Sequence, residues 1–184
     1  MPSETLAPDV LLEQVNRTGT VADIDESVDS PDAAWLVAPG SNSTCTVRVS
    51  FPMPSGNPTV GAGLQTLRAW LRKTNHSTNP AAVLSVCELN GSNLAATSST
   101  TISSTSGQML ALTFNANLLS AANGSDVEAR IVGTVGGGGA GNRGSVEIGA
   151  VEWNVEYDEA PAGRIMGSLV GQGGGLIGRG GLVG

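Results

Sequence analysis

The residues best able to hold a metal ion are four aspartates in one short stretch of the chain. They are Asp23, Asp25, Asp29 and Asp32. Carboxylate oxygens at such short spacing suit calcium, which takes about six to eight oxygen ligands in a flexible geometry. The stretch lacks the residue order of an EF-hand loop, and acidic loops more often stay solvated or form Asx-turns. It is therefore a candidate calcium site, with a solvated acidic loop as the favoured alternative.

A second candidate site is the outward face of a predicted strand from Leu64 to Lys73. Arg68, Trp70 and Arg72 alternate on that face. The indole ring could stack on a sugar ring or anchor a partner, while the arginines hold carboxylates or hydroxyls. The alternative is that the strand is covered on both faces and Trp70 packs beneath a loop. We favour this alternative, because tryptophan is a large apolar side chain that proteins usually bury.

No arrangement of residues in the sequence predicts catalysis. His76 is the only histidine and has no candidate nucleophile beside it, so we expect a solvated loop position. Glu147, Glu152 and Glu156 are the carboxylates that a glycoside hydrolase could use. They are expected along an ordinary outward strand face, and nothing distinguishes an acid from a nucleophile among them. We therefore predict no catalytic residue, no enzyme activity and no cofactor.

The elements that would position these residues are β-strands. The longest alternating run is Ser145 to Tyr157, which places Val151, Trp153 and Val155 on one face. The apolar residues that precede Gly149 are out of phase with that face. A glycine at such a phase change predicts a β-bulge that absorbs the shift.

Further strands are predicted between this run and the beginning of the chain. A weak strand signal covers residues 11–24, and alternating or buried apolar runs cover residues 44–51, 64–73, 83–89, 94–102, 108–114 and 127–132. Asn90-Gly91 is a strong signal for a tight hairpin. The sequence thus predicts an all-β, jelly-roll-like sandwich of about eight antiparallel strands.

Composition supports one β-rich domain with a tail at each end. The chain has 184 residues, of which 26 are glycine, 3% are aromatic and 14% are charged. We predict an extended N-terminal arm at 1–10, a sandwich at 11–158 and a glycine-rich tail at 159–184. Pro2 and Pro8 are expected to prevent regular pairing of the arm. The net charge of −7 disfavours nucleic acid, and no apolar run is long enough to span a membrane.

The two cysteines do not predict a metal or redox site. Cys45 and Cys87 are too few and too far apart for a zinc ribbon or a redox pair. Cys45 is in phase with Val47 and Val49, which predicts a small core residue. A disulfide between two facing strands is left open.

The glycine-rich tail carries pairs of apolar residues in a short, degenerate repeat. These residues, which we predict to bind a partner, are Ile165, Met166, Leu169, Val170, Leu176, Ile177, Leu182 and Val183. Exposed apolar pairs would favour aggregation, so we expect neighbouring subunits or another protein to cover them.

Several segments together resemble small structural proteins of tailed bacteriophage particles. They are Pro2–Pro8, Asp29–Leu36, the strand pair within Thr44–Lys73, Glu152–Tyr157 and the Gly-Leu-Val/Ile repeats of the tail. The resemblance implies a galactose-binding-like jelly roll and a place on the virion, as a capsid decoration (cement) protein or a minor tail component. It defines no catalytic or binding residue.

Two functions follow as hypotheses. The first is a homo-oligomer, expected to be a trimer, that docks on the major capsid protein through its arm and tail and stabilises the particle. The second is a carbohydrate-binding module for host attachment, with Arg68, Trp70 and Arg72 as the platform and calcium in the acidic loop. The exposure of Trp70 distinguishes them, because a buried Trp70 could not bind a sugar.

Overall fold

A computed structural model describes residues 2–38, 44–61, 65–88, 91–121 and 124–157. The strands within these ranges are β1 (Ser3–Leu6), β2 (Val10–Val15), β3 (Cys45–Ser50), β4 (Gln65–Lys73), β5 (Ala81–Glu88), β6 (Ser92–Ala96), β7 (Thr100–Thr101), β8 (Gln108–Phe114), β9 (Glu128–Thr134) and β10 (Val146–Glu156). Short 3-10 turns occur at Val21–Asp23, Ala116–Leu118 and Ala140–Asn142. None of these described helical turns is long and apolar enough to cross a membrane.

The strands form two antiparallel sheets that face each other across one core. The four-stranded sheet has the order β1-β10-β4-β8, and the six-stranded sheet has the order β2-β3-β9-β5-β6, with β7 also paired to β5. The predicted jelly-roll-like β-sandwich is therefore confirmed, with ten strands rather than about eight. The hairpin at Gly91 is confirmed too, since β5 and β6 pair on either side of it.

The core is built from the alternating residues of both sheets. Strand β4 shows the pattern most clearly, because Leu67, Ala69 and Leu71 are fully buried while Arg68 and Trp70 point to the other side. Trp153 on β10 is also fully buried. Its ring packs edge-on against Phe51, with the centroids 6.0 Å apart.

The predicted bulge in β10 is confirmed. The register between β10 and β4 shifts between Ile148 and Ala150, so that Ile148 pairs with Leu71 and Val151 pairs with Ala69. Because of the inserted residue, the apolar residues on both sides of Gly149 face the same core.

The N-terminal residues do not form the unpaired arm that the prolines suggested. Ser3–Leu6 pairs with β10 as an edge strand of the four-stranded sheet, from Ser3 opposite Glu156 to Leu6 opposite Trp153. Pro2 and Pro8 flank this strand and remove no hydrogen bond from its interior. The expectation that they prevent regular pairing is therefore wrong for these residues.

Residues 16–38, here called the covering segment, lie beside β10 where β1 has ended. The carbonyl of Ile24 accepts a hydrogen bond from the Val151 amide at 3.0 Å, and Leu36 forms a β-bridge with Ile148. The side chains of Ile24 and Leu36 are fully buried. The covering segment thus closes the open edge of β10 and supplies apolar residues to the core.

The predicted tail at 159–184, with its apolar partner-binding residues, lies outside the described residues. Its role in binding and the proposed domain boundaries stay predictions.

Candidate functional site

The candidate site is the outer face of the four-stranded sheet, the side that points away from the core. Strands β4 and β10 lie next to each other there, and their register places Arg68 opposite Glu152 and Arg72 opposite Glu147. The arginines are four residues apart and the glutamates five, since the bulge at Gly149 adds one residue to β10. Opposite charges therefore meet twice across the same pair of strands.

Arg68 is held by two carboxylates. Its Nε donates to Glu152 at 2.5 Å, and its Nη1 and Nη2 donate to the two oxygens of Asp29 at 3.0 and 2.8 Å. Hydrogen bonding to Asp29 and then to Glu152 raises the pKa of Arg68. The Glu152 side chain is only 1% exposed and also accepts a hydrogen bond from the Val28 amide at 3.1 Å. This network fastens the covering segment to the sheet.

Arg72 forms a second, separate contact with the covering segment. Its Nε donates to Glu147 at 2.8 Å, and its guanidinium carbon lies 4.0 Å from the centroid of the Trp35 ring. A Cβ atom on Gly149 would lie 2.8 Å from the same indole, so the glycine allows the ring to approach the bulge. Trp35 was not among the predicted site residues, and its neighbours Leu36 and Ala34 gave no periodic signal.

Trp70 lies between the two arginines and is half-buried. The loop that precedes β8 covers part of its ring, because Gly107, at a φ of +126°, lies directly against the indole. A Cβ atom at this position would be 2.3 Å from Trp70 Nε1. Trp70 therefore packs against a loop and is only partly covered.

Replacing Gly107 by alanine should disturb this contact. We expect the free energy of unfolding to fall by about 1–2 kcal/mol, because the positive φ disfavours a side chain and the methyl group would collide with Trp70. Thermal unfolding and indole fluorescence would measure the loss and the displacement. Gly139→Ala is the matched control, since Gly139 has a φ of −67° and open space around its Cβ position. Equal effects of the two changes would contradict the prediction.

The four aspartates of the candidate calcium site do not converge. Asp23 accepts from the Thr20 amide at 2.6 Å, Asp32 accepts from the Ala34 amide at 2.5 Å, and Asp29 binds Arg68. No group of three or more histidine, cysteine, aspartate or glutamate side chains among the described residues could hold a metal ion. The geometry of this segment thus gives no support to bound calcium.

Two adjoining cavities open on the outer face beside the ion pairs. One has a volume of about 420 Å³ and is lined by Glu4, Thr5, Thr66, Asn154 and Glu156, among others. The other, of about 330 Å³, shares Thr5 and reaches Arg68 and Glu152. Their hydroxyl, amide and carboxylate groups could hydrogen-bond a polar ligand.

The residues considered for catalysis make different contacts in the structure. Glu147 and Glu152 are engaged by arginines, and Glu156 lines the larger cavity. His76 lies in the loop before β5, with its Nδ1 3.0 Å from the Thr74 hydroxyl.

The two cysteines are free thiols on opposite faces of the six-stranded sheet. Cys45 and Ala82 both pair with Gly133, whereas Cys87 lies five residues further along β5 and pairs with Glu128. Five residues of strand span about 16 Å, so the disulfide that the sequence left open cannot form.

Both thiols should be unreactive in the folded protein. Burial raises the pKa of Cys45, and it raises the pKa of Cys87 to about 11. Because the thiolate is the reacting form, labelling by Ellman's reagent at pH 8 should be at least about 100-fold slower than in the unfolded chain. A thiol that reacted as fast in the folded protein as in the unfolded chain would contradict this prediction.

Exposed apolar side chains gather at the end of the sandwich where β10 ends. Met53 is 62%, Val60 66% and Leu118 41% exposed. The hydrogen bond from the Thr59 amide to the Glu156 carbonyl brings the loop with Val60 to this end, and the one from the Gly61 amide to the Asn115 side chain brings the turn with Leu118 next to that loop. The chain continues from there, through Tyr157, into the apolar repeats of the sequence.

Comparison with known proteins gives distant similarities only. No protein-family profile matches the chain. No curated protein matches it either. Among solved structures, the C-terminal CBM6 of LamC, a marine laminarinase from Zobellia galactanivorans, superposes with a TM-score of 0.43 at 7% identity, over 84% of this chain and 100% of that one.

Two further solved structures are similar to parts of the chain. The structure of infectious bursal disease virus, Gt strain, has a TM-score of 0.40 at 10% identity over 88% of this chain, which spans only 33% of the viral chain. A cyclase from Fischerella sp. TAU has a TM-score of 0.34 at 14% identity, over 70% of this chain and 73% of the cyclase. Similarities at this level carry no argument about function.

Proposed function

We propose that the protein is a non-enzymatic structural component of a virus particle, and that it decorates and stabilises a bacteriophage capsid. The observation that carries this proposal is that the charged side chains of the candidate site bind other parts of the same chain. Arg68, Arg72, Glu147 and Glu152 bind one another or the covering segment, so the candidate site holds the fold together. Few charged groups of the candidate site therefore remain free to bind a substrate.

The surface supports an adhesive role. Apolar side chains are exposed at the end where β10 leads toward the glycine-rich tail, as Met53 and Val60 show. Burying such residues against another protein is favourable by about 25 cal/mol per Å² of apolar surface. Docking that buries this end and the tail would stabilise an assembled shell by mass action.

The test is binding of the full-length protein to shells assembled from the major capsid protein encoded with it. We expect saturable binding at a fixed copy number and a higher melting temperature of the decorated shell. Binding to isolated tails but not to shells would make it a minor tail protein. Absence of binding to either would overturn the proposal.

Carbohydrate binding is the second candidate function, because Trp70 is only half-buried and shares the outer face of β4 with Arg68, which lines the smaller polar cavity. A sugar could stack on the free part of the indole and hydrogen-bond along the outer face. A glycan array with the full-length protein and with Trp70→Ala would test it. Binding that survives the substitution would exclude Trp70 as the platform.

A further inference from the structure

The two sheets have five strands at their edges, since β6 and β7 lie along the same side of β5, and four of these five carry features that hinder pairing with another chain. Strand β7 has only two residues. Strand β1 has only four residues and is flanked by prolines. Strand β2 contains Glu13 and a register shift between Leu11 and Glu13. Strand β6 has five residues and pairs with β5 through a register shift at Val86. Short length, charge, proline and bulges are the usual protections of a sheet edge.

Strand β8 has none of these protections. It has seven residues, Gln108–Phe114, and contains neither a charged residue nor a proline. All seven pair with β4 in unbroken register. Among the described residues, no other strand pairs with its opposite side. A long, regular and uncharged edge of this kind readily accepts another strand.

The core is also slightly open along β8. Leu110 and Leu112 face inward and keep 7% and 8% exposure, whereas Leu67 and Leu71 on the neighbouring strand are fully buried. On the outer face, Met109 is 50% exposed. A strand added beside β8 would cover apolar surface on both sides of the sheet as well as complete its hydrogen bonds.

We propose that β8 is a self-association edge, at which the β8 strands of two copies pair antiparallel about a two-fold axis through Ala111. In this register Leu110 lies opposite Leu112 of the partner subunit, so inward leucines meet inward leucines. Met109 lies opposite Thr113 of the partner subunit on the outer face. The contact joins two four-stranded sheets into one sheet of eight strands.

A second copy fits this edge better than a charged peptide does. Gln108–Phe114 offers no charge that an acidic or basic segment could recognise. Its own alternation, in contrast, supplies the apolar inner face that the edge lacks. The small alanine at the axis keeps the two outer faces free of a clash. Pairing through this strand brings no charged side chain of β8 itself into the contact.

This inference deepens the proposed assembly role and rests on it for its biological purpose. A two-fold contact produces an even-numbered assembly, unlike the trimer expected from the sequence. The two proposals can fail separately, because binding to a shell does not require the β8 contact and self-association does not require a shell.

The test places like charges at the axis. Ala111 is exposed on the outer face, so Ala111→Lys should fold normally, which circular dichroism and the melting temperature would check. Light scattering over a concentration series should show a dimer for the full-length protein. Two lysines directly opposite each other should weaken that dimer at least about tenfold.

A charge swap and a matched edge variant complete the experiment. Mixing Ala111→Lys with Ala111→Glu should restore a dimer that contains one copy of each. Val15→Lys, at a 44% exposed residue of the protected β2 edge, should leave the dimer unchanged.

Three outcomes would overturn the inference. They are a full-length protein that stays monomeric at its highest soluble concentration, a dimer that Ala111→Lys leaves intact, and a dimer that Val15→Lys weakens instead. Protection of β8 amides from hydrogen exchange in a monomer would show that another part of the same chain covers the edge, and would also overturn it.

Discussion

Replacing Trp153 by alanine should lower the free energy of unfolding by about 3–5 kcal/mol. Trp153 is fully buried between the sheets, opposite Leu67 on β4 and edge-on to Phe51. The backbone of Gly124 also approaches the ring, since a Cβ atom on Gly124 would be 2.8 Å from the indole. Neighbours held this closely cannot collapse fully into the space left by the ring, so most of the cavity should persist.

Chemical denaturation followed by circular dichroism would measure this loss. Trp153→Phe is the informative control, because no hydrogen-bond partner lies within reach of Trp153 Nε1 among the described residues. Phenylalanine removes that unsatisfied N–H while it keeps an aromatic ring against Phe51, so it should cost less than half as much as alanine. Equal losses for the two variants would contradict this, because they would mean that a phenyl ring recovers none of the stability that the indole provides.

Removing Arg68 should be comparably destabilising, at about 3–5 kcal/mol for Arg68→Ala. The substitution leaves the carboxylate of Glu152, which is only 1% exposed, without its cation. It also detaches Asp29 and loosens the covering segment. Urea denaturation at neutral pH would measure the effect.

Two further variants separate the buried charge from the surface contact. Asp29→Asn should cost no more than about 1 kcal/mol, since the Asp29 side chain is 69% exposed and its ion pair is screened by solvent. Combining Arg68→Met with Glu152→Gln should recover at least half of the Arg68→Ala loss, because no unpaired charge remains and the amide can still accept from Val28. A double variant as unstable as Arg68→Ala would contradict this explanation.

The fold was largely predictable because alternation is a local property of a strand. The phase change at Gly149 located the bulge in β10, and Asn90-Gly91 located the turn between β5 and β6. The N-terminal strand was missed, because prolines at its two ends look the same in sequence as prolines that interrupt it.

The candidate site was predicted in its residues but not in its contacts. The acidic stretch and the Arg68–Arg72 face were considered as two separate ligand sites, whereas Asp29 binds Arg68 and Trp35 covers Arg72. One signal in the sequence could have shown that these two strands pair. Arg68 and Arg72 are four residues apart, and the glutamates that face them are five residues apart, because the bulge adds one residue to β10.

The sequence by itself determined which residues face inward, where the strands turn and that the chain forms a β-sandwich. The tertiary structure decided which charges are paired and which ring is covered. The physical reason is distance along the chain, because Arg68 meets a partner 84 residues away in Glu152 and another 39 residues away in Asp29. The alternation of a strand and the conformation of a turn depend on residues that are close in sequence. The partner that a charged side chain meets depends instead on the order of strands in the sheet.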